Sequence, residues 1–157
     1  MLLKNNTGGY SRVGFTVVQD PKDPTAFIYS SPDDTNIIGI VTKSVPKYSK
    51  CEIANSGTAK VFVFERTVKS SIIRAAKSGD NISRGTCKTK ANTDASYFKV
   101  GTALETGKGL INCALSLSYN GSSGAIANGT YTVGLGNVTD GTITIENGII
   151  TAIQEAT

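Results

Sequence analysis

The sequence predicts an all-β protein: an antiparallel barrel or sandwich with an extended N-terminal arm and a small C-terminal three-stranded meander. Three observations lead there. Glycine supplies 17 of the 157 residues, well above the usual share of about 7%, which marks a chain that turns often. Val, Ile, Thr and Ser, small residues that suit a pleated surface, dominate the rest. Apolar residues come in short blocks or alternate, and clusters of Gly, Pro, Asn and Asp separate them. At this length the chain has room for one main folding unit.

The first 36 residues carry Gly8-Gly9, Pro21, Pro24 and Pro32 around two short apolar pieces, Val13–Val18 and Ala26–Tyr29. So much turn chemistry predicts an extended arm (1–36) that adds edge strands to its own core or to a neighbour. The body (37–118) begins with the β-branched run Ile37–Val41, suited to a strand buried on both sides, which Pro46 ends. Cys51–Asn55 and Thr58–Arg66 flank Ser56-Gly57, a link of hairpin length. Ser71–Ala76 fits a strand or one helical turn, and periodicity does not decide between them. Beyond the turn at Lys77–Asp80, Asn81–Ser83 and Thr86–Lys90 read as short strands joined through Arg84-Gly85. Tyr97–Leu104 and Leu110–Leu117 read as a pair, with Leu115 and Leu117 on one face and Ser116 and Ser118 on the other. The expected core is Val61, Phe62, Val63, Phe64, Ile38, Ile40, Leu104, Leu110 and Ile111.

A Gly/Ser-rich linker (119–128) follows. In the last segment (129–157), Asp140-Gly141 and Asn147-Gly148 separate Thr130–Leu135, Thr142–Glu146 and Ile149–Gln154. These dipeptides are strong signals for tight hairpins, because type I′ turns need two residues at positive φ. About 30 residues cannot bury enough surface to stand alone, so this meander must dock on the body, on copies of itself or on another protein.

Composition narrows function. With no histidine in the chain, the commonest general base and the usual nitrogen ligand of zinc are missing, and most familiar hydrolases are excluded. We read no enzyme, no cofactor and no metal site. Cys51, Cys87 and Cys113 form no CxxC pair and read as small core residues on strands. Asp20, Asp23, Asp33 and Asp34 fit no calcium-loop frame and read as solvated loop. The Met-Leu-Leu-Lys start is too short for a signal-peptide core, and the five Asn-x-Ser/Thr sequons read as turn composition in a protein made in a cytoplasm.

Charge is divided. Residues 1–118 carry all 16 Lys and Arg and nine of the 12 acids, whereas 119–157 carry three acids and no base. The densest stretch holds Lys60, Arg66, Lys69, Arg74, Lys77, Arg84, Lys88 and Lys90 against Glu65 and Asp80. Such a band suits an acidic protein surface or nucleic acid, or is simply the solvated face of several strands. No aromatic residue interrupts Glu65–Ala95, so the stacking platform of a single-strand binder is missing and nucleic acid is disfavoured.

Three stretches carry a resemblance: IIGIVTKSVPKYSKCEIANSGTAKVFV (37–63), AAKSGDNI (75–82) and VGTALETGKGLINCALS (100–116). A G-I-V strand, a C/V-E-I-x-x-S-G hairpin, a K-x-G-D-x-I turn and a V-G-x-A-L-E-x-G-x-G-L-I pair resemble a recurrent pattern of tailed-phage virion proteins. They are similar to capsid decoration (cement) proteins and head-fibre base domains, including those of crAss-like phages. The resemblance implies a β-rich, commonly trimeric subunit on the outer face of an icosahedral head, assembled in the host cytoplasm. It implies the major capsid protein, copies of itself and other head-fibre proteins as partners, with no membrane partner. The eight basic residues are the candidate capsid-binding set. The alternative is a receptor- or glycan-binding fibre or adhesin module, with Tyr97, Tyr119 or Tyr131 stacking on sugar rings.

Overall fold

The computed structural model describes residues 1–121, 129–133, 141–146 and 149–154. It is all-β, with no helix among the described residues. Residues 1–121 and 122–157 form separate compact units. The first unit contains ten strands: β1 (Leu2–Asn5), β2 (Thr16–Asp20), β3 (Asp23–Tyr29), β4 (Gly39–Val41), β5 (Lys50–Ala54), β6 (Thr58–Thr67), β7 (Ile72–Ala75), β8 (Cys87–Thr89), β9 (Tyr97–Ala103) and β10 (Gly107–Asn120). They close into two five-stranded barrels, β1-β3-β2-β4-β5 and β6-β8-β7-β9-β10.

The second order is the first with five added to every strand number. Both barrels contain one parallel pairing at the same place, β1 with β3 and β6 with β8, and are otherwise antiparallel. The registers also match around the circuit. Leu3 opposite Cys51 corresponds to Val61 opposite Ile111, and Asn5 opposite Phe27 corresponds to Val63 opposite Cys87. Val17 opposite Gly39 corresponds to Ile73 opposite Gly101, and Ile40 opposite Ala54 to Thr102 opposite Ala114. The unit is a tandem repeat of one barrel.

The inward side chains explain why the repeat is hard to read in the sequence. At equivalent buried positions stand Leu3 and Val61, Val17 and Ile73, Phe27 and Cys87, Val41 and Ala103, Cys51 and Ile111, and Ile53 and Cys113. Each barrel is filled by its own distribution of large and small residues. What the repeats keep is small: a Cβ on Gly39 would lie 2.5 Å from the Ala54 carbonyl oxygen, and one on Gly101 would lie 2.2 Å from that of Ala114. At both places the backbones approach too closely for any side chain.

Alternation along β2 and β4 joins the barrels. Val17 and Val41 enter the first core, while Val18 and Ile40 join the cluster that contains Val61, Val63, Ile73 and Val100. The run Ile37–Val41 is thus buried on both sides, as the sequence predicts. Gly14, at φ +83°, donates to the Val41 carbonyl (2.9 Å) and accepts from the Phe62 N–H (2.9 Å), in a space where a Cβ would lie 2.6 Å from the Phe62 nitrogen. Phe15 stacks between Tyr29 and Phe62, with ring centroids 5.2 and 5.3 Å away.

The structure corrects several expectations. Residues 1–36 are no arm: they supply three of the five strands of the first barrel, with Val17, Ala26 and Phe27 wholly buried. The body 37–118 is divided, since β4 and β5 belong to the first barrel and β6–β10 to the second. Ser56-Gly57 closes no hairpin, because β5 faces one core with Cys51 and Ile53 and β6 faces the other with Val61 and Val63. Asn81–Ser83 is not a strand, and Ser71–Ala76 resolves to β7. Of the expected core, Phe64, Leu104 and Leu110 are exposed and Phe62 and Ile38 are half-buried. Phe62 and Phe64 occupy the alternate positions of β6, so the inward face belongs to Val61 and Val63.

The second unit contains a three-stranded antiparallel sheet of β11 (Gly129–Val133), β12 (Gly141–Glu146) and β13 (Ile149–Gln154). This is the expected meander, with β11 beginning one residue earlier. β10 runs through Tyr119 and Asn120, which the sequence assigned to the linker. Residues 122–128, and Asp140, Asn147 and Gly148 of the expected turns, lie outside the described residues.

Candidate functional site

The eight basic residues do not form one band. Three of them join a buried ion cluster. Arg74 on β7 is 4% exposed, because its position points out of the second barrel and is covered by the turns on either side. Its guanidinium grips Asp80 with both terminal nitrogens, Nη1 to Oδ2 at 2.7 Å and Nη2 to Oδ1 at 2.9 Å, and donates from Nε to Asp94 Oδ2 at 2.6 Å. Lys77 reaches Asp94 at 3.3 Å, and Lys88 stands 3.9 Å from Asp80 and 3.8 Å from Glu65. Three cations therefore meet three carboxylates, and the cluster offers little net charge to a partner.

The cluster also holds its loops. Asp80 accepts from the Lys77 N–H at 2.7 Å, and Asp94 accepts from the Ala91 N–H at 2.8 Å, so each carboxylate closes its own turn before meeting Arg74. Burial alone would raise the Asp80 and Asp94 pKa values, but the hydrogen bonds from Arg74 and from those backbone amides outweigh it, and both carboxyls sit below the ordinary range. Sequence reading missed Asp94 because it lies 20 residues from Arg74 and outside the stretch in which charges were counted.

The other five lie apart. Lys60 and Arg66 point outward from β6, Lys69 lies in the exposed turn after it, and all three are exposed. Lys90 is half-buried with its Nζ 5.6 Å over the Tyr97 ring. Arg84 is exposed and bonds Ser31 Oγ across to the first barrel.

The outer face of β6 and β10 gathers part of this set. Register places Phe62 opposite Leu110 and Lys60 opposite Asn112. Val61 and Val63 take the inward positions of β6 and Lys60 and Phe62 the outward ones, while the pairing with β10 shifts register between Gly107 and Gly109, beside 64–66. Phe64 is 49% exposed and Leu110 44%, and Lys60, Arg66 and Lys108 on the same two strands are exposed. An apolar centre with a charged rim is the composition of a protein-binding surface.

Of the four acidic residues expected in solvated loop, Asp20 ends β2 and is buried and Asp23 opens β3, while Asp33 and Asp34 lie in the loop after β3, and each has a local duty. Asp20 accepts from Asn6 and from the Lys22 N–H, Asp33 from the Ser78 N–H and Asp34 from the Ser31 N–H. Asp23 pairs with Lys4 and accepts from the Thr25 hydroxyl and N–H, which hold its pKa at about 2.

Cys51, Cys87 and Cys113 are buried on strands. Burial pushes the Cys113 thiol up to about 11 and the Cys87 thiol higher still, well away from a reactive thiolate. A thiol reagent such as DTNB is expected to leave both unlabelled in the native protein at pH 7 and to label all three cysteines after denaturation. Rapid native labelling of Cys87 or Cys113 would contradict this packing.

No protein-family model matches the chain, and no curated protein sequence matches it.

Proposed function

We propose that this chain is a virion structural protein that decorates or stabilises the outer surface of an icosahedral phage head, or anchors a head fibre there. The observation that carries this reading is the outer surface of β6 and β10, where Phe64 and Leu110 are exposed and Lys60, Arg66 and Lys108 are exposed basic residues of the same two strands. Apolar contact supplies affinity there, and the basic rim suits a negatively charged capsid lattice. The motif stretches support the same reading. Residues 37–63 cover β4, β5 and the start of β6, and 100–116 cover most of β9 and β10, so the resemblance falls largely on equivalent strand pairs of the two repeats. Of the candidate set, Lys60, Arg66 and Lys69 remain as capsid contacts, and Arg74, Lys77 and Lys88 serve the fold.

The second unit supports self-association. Register places Tyr131 opposite Ile143 and Ile143 opposite Ile153, with a shift in the β12–β13 pairing between Thr144 and Ile145. Ile153 on β13, at the edge of the sheet, is 70% exposed. An exposed isoleucine on an edge strand offers apolar surface to another copy of the chain. Sedimentation of the full chain is expected to give an oligomer that Ile153→Asp weakens.

The test of the head-binding role is cryo-electron microscopy of heads incubated with the protein, together with cosedimentation. Density over the capsomers is expected, and Lys60→Glu with Arg66→Glu should lower occupancy. Binding should loosen with salt, since the Debye length falls from about 10 Å at 0.1 M to about 3 Å at 1 M. Absence of head density overturns the proposal, and density at a tail tip favours a receptor-binding module.

A further inference from the structure

A cleft of about 760 Å³ opens where the two barrels meet, lined by Tyr10, Arg12, Phe15 and Tyr29 from the first and by Ser83 and Arg84 from the second. One wall is the loop between β1 and β2, and the protein holds it in place with buried polar groups. Asn5, wholly buried, donates through Nδ2 to the Gly9 and Val45 carbonyls at 2.8 and 2.9 Å, while its Oδ1 accepts from the Thr7 N–H at 3.0 Å and the Thr7 hydroxyl at 2.8 Å. Ser11, also buried, donates from its N–H to the Val45 carbonyl at 2.9 Å and from its hydroxyl to the Lys43 carbonyl at 2.8 Å, and its oxygen accepts from the Val45 N–H at 2.9 Å.

The second barrel shows what those groups are for. At the position equivalent to Asn5 it carries Val63, an ordinary core residue. The barrel closes with valine there, so the buried amide serves the loop rather than the barrel. Fixing a loop in this way makes its outward side chains ready for a partner without the entropic cost of ordering them at binding. Those side chains are Tyr10, 71% exposed, and Arg12.

Charge selects the partner. The Arg12 guanidinium lies 5.6 Å over the Phe15 ring, and Arg84 on the opposite wall bonds Ser31 Oγ. Among the described residues neither arginine meets a carboxylate, and no Asp or Glu lines the cleft. Two oriented guanidinium groups without counter-charge, on either side of aromatic rings, match a strand that alternates carboxylates with apolar side chains. A saccharide fits less well, because the lining holds none of the Asp, Glu, Asn or Gln side chains whose acceptors grip neighbouring sugar hydroxyls.

We propose that this cleft binds an extended acidic segment of a partner polypeptide through Arg12 and Arg84, with Tyr10 packing on its apolar residue. The inference comes from the cleft alone and does not depend on head decoration. Head binding through β6–β10 can fail while the cleft binds, and the reverse.

The test is an NMR titration of the ¹⁵N-labelled full-length protein with the synthetic peptide acetyl-Glu-Glu-Phe-Glu-Glu-amide. Saturable shifts confined to residues around Tyr10, Arg12 and Arg84 are expected. Arg12→Ala with Arg84→Ala should weaken binding by about tenfold or more while circular dichroism and the melting temperature stay unchanged, because both side chains are exposed. The Gln-for-Glu peptide should fail to bind. Shifts spread over the Lys60 and Arg66 face and insensitive to the double variant would overturn the proposal. So would equal binding of the Gln peptide, or stronger shifts of the same residues by a uronic-acid oligosaccharide.

Discussion

Replacing Arg74 with methionine is expected to cost about 3–5 kcal/mol of folding stability, the usual consequence of removing one partner from a buried charge cluster. Methionine fills much of the same volume, so the loss is electrostatic. Asp80 and Asp94 would remain under the turns they close, each missing charge-assisted hydrogen bonding from the guanidinium, and the ammonium groups of Lys77, already on Asp94, and of Lys88, 3.9 Å from Asp80, cannot act as a planar bidentate donor. For the same reason Arg74→Lys should recover only part of the stability. Adding Asp80→Asn and Asp94→Asn to Arg74→Met should recover more, since neutral amides are cheaper to leave buried than carboxylates. Urea unfolding of the wild type and the three variants at pH 7 measures each step.

The same cluster sets the acid response. Asp80 and Asp94 have folded-state pKa values below their unfolded values, so their contribution is fully present above the unfolded value near 4 and is lost as pH falls through the lower folded values. Wild-type stability should therefore drop between about pH 5 and pH 2. In Arg74→Met the leading cause of the depression at Asp80 is gone, Asp94 keeps its Ala91 N–H but loses the guanidinium, and the difference between the two proteins should shrink as the pH is lowered. A constant difference from pH 7 to pH 3 would show that Arg74 acts through packing.

Strand positions were legible in the sequence wherever alternation was strong. β4, β6, the β9–β10 pair and the C-terminal meander fall within a few residues of their expected places. Membership was not legible. A two-residue link such as Ser56-Gly57 looks the same whether it folds a strand back on its neighbour or hands the chain to a second barrel. Period two also does not say which face is inside: β6 reads apolar on both, with Val61 and Val63 turned inward and Phe62 and Phe64 outward. The basic band failed for a related reason. Counting charges along the chain cannot see Asp94, which the fold returns to Arg74. The cleft left one signal, the polar Asn5 at an inward position of β1 two residues after Leu3, whose meaning appears only beside Val63 in the repeat.

Phe27→Ala is expected to destabilise the protein by about 3–5 kcal/mol, the range for removing a fully buried aromatic side chain. An N-terminal arm would tolerate the change, so the measurement also tests whether residues 1–36 are integral to the first barrel. The repeat then suggests a repair. The second barrel has the small Cys87 where the first has Phe27, and it fills its core instead with Ile111 where the first has Cys51. Phe27 and Cys51 lie in the same core cluster, on the two strands that flank β1. Adding Cys51→Ile to Phe27→Ala imports the other barrel's distribution of volume and should recover part of the loss, because the added side chain occupies space the first change empties. In the wild-type background Cys51→Ile alone should overpack the core and destabilise it, so the two changes should be non-additive with a favourable coupling. A double variant no more stable than Phe27→Ala would mean that each barrel's packing is fixed by its own backbone and that the two solutions are not interchangeable.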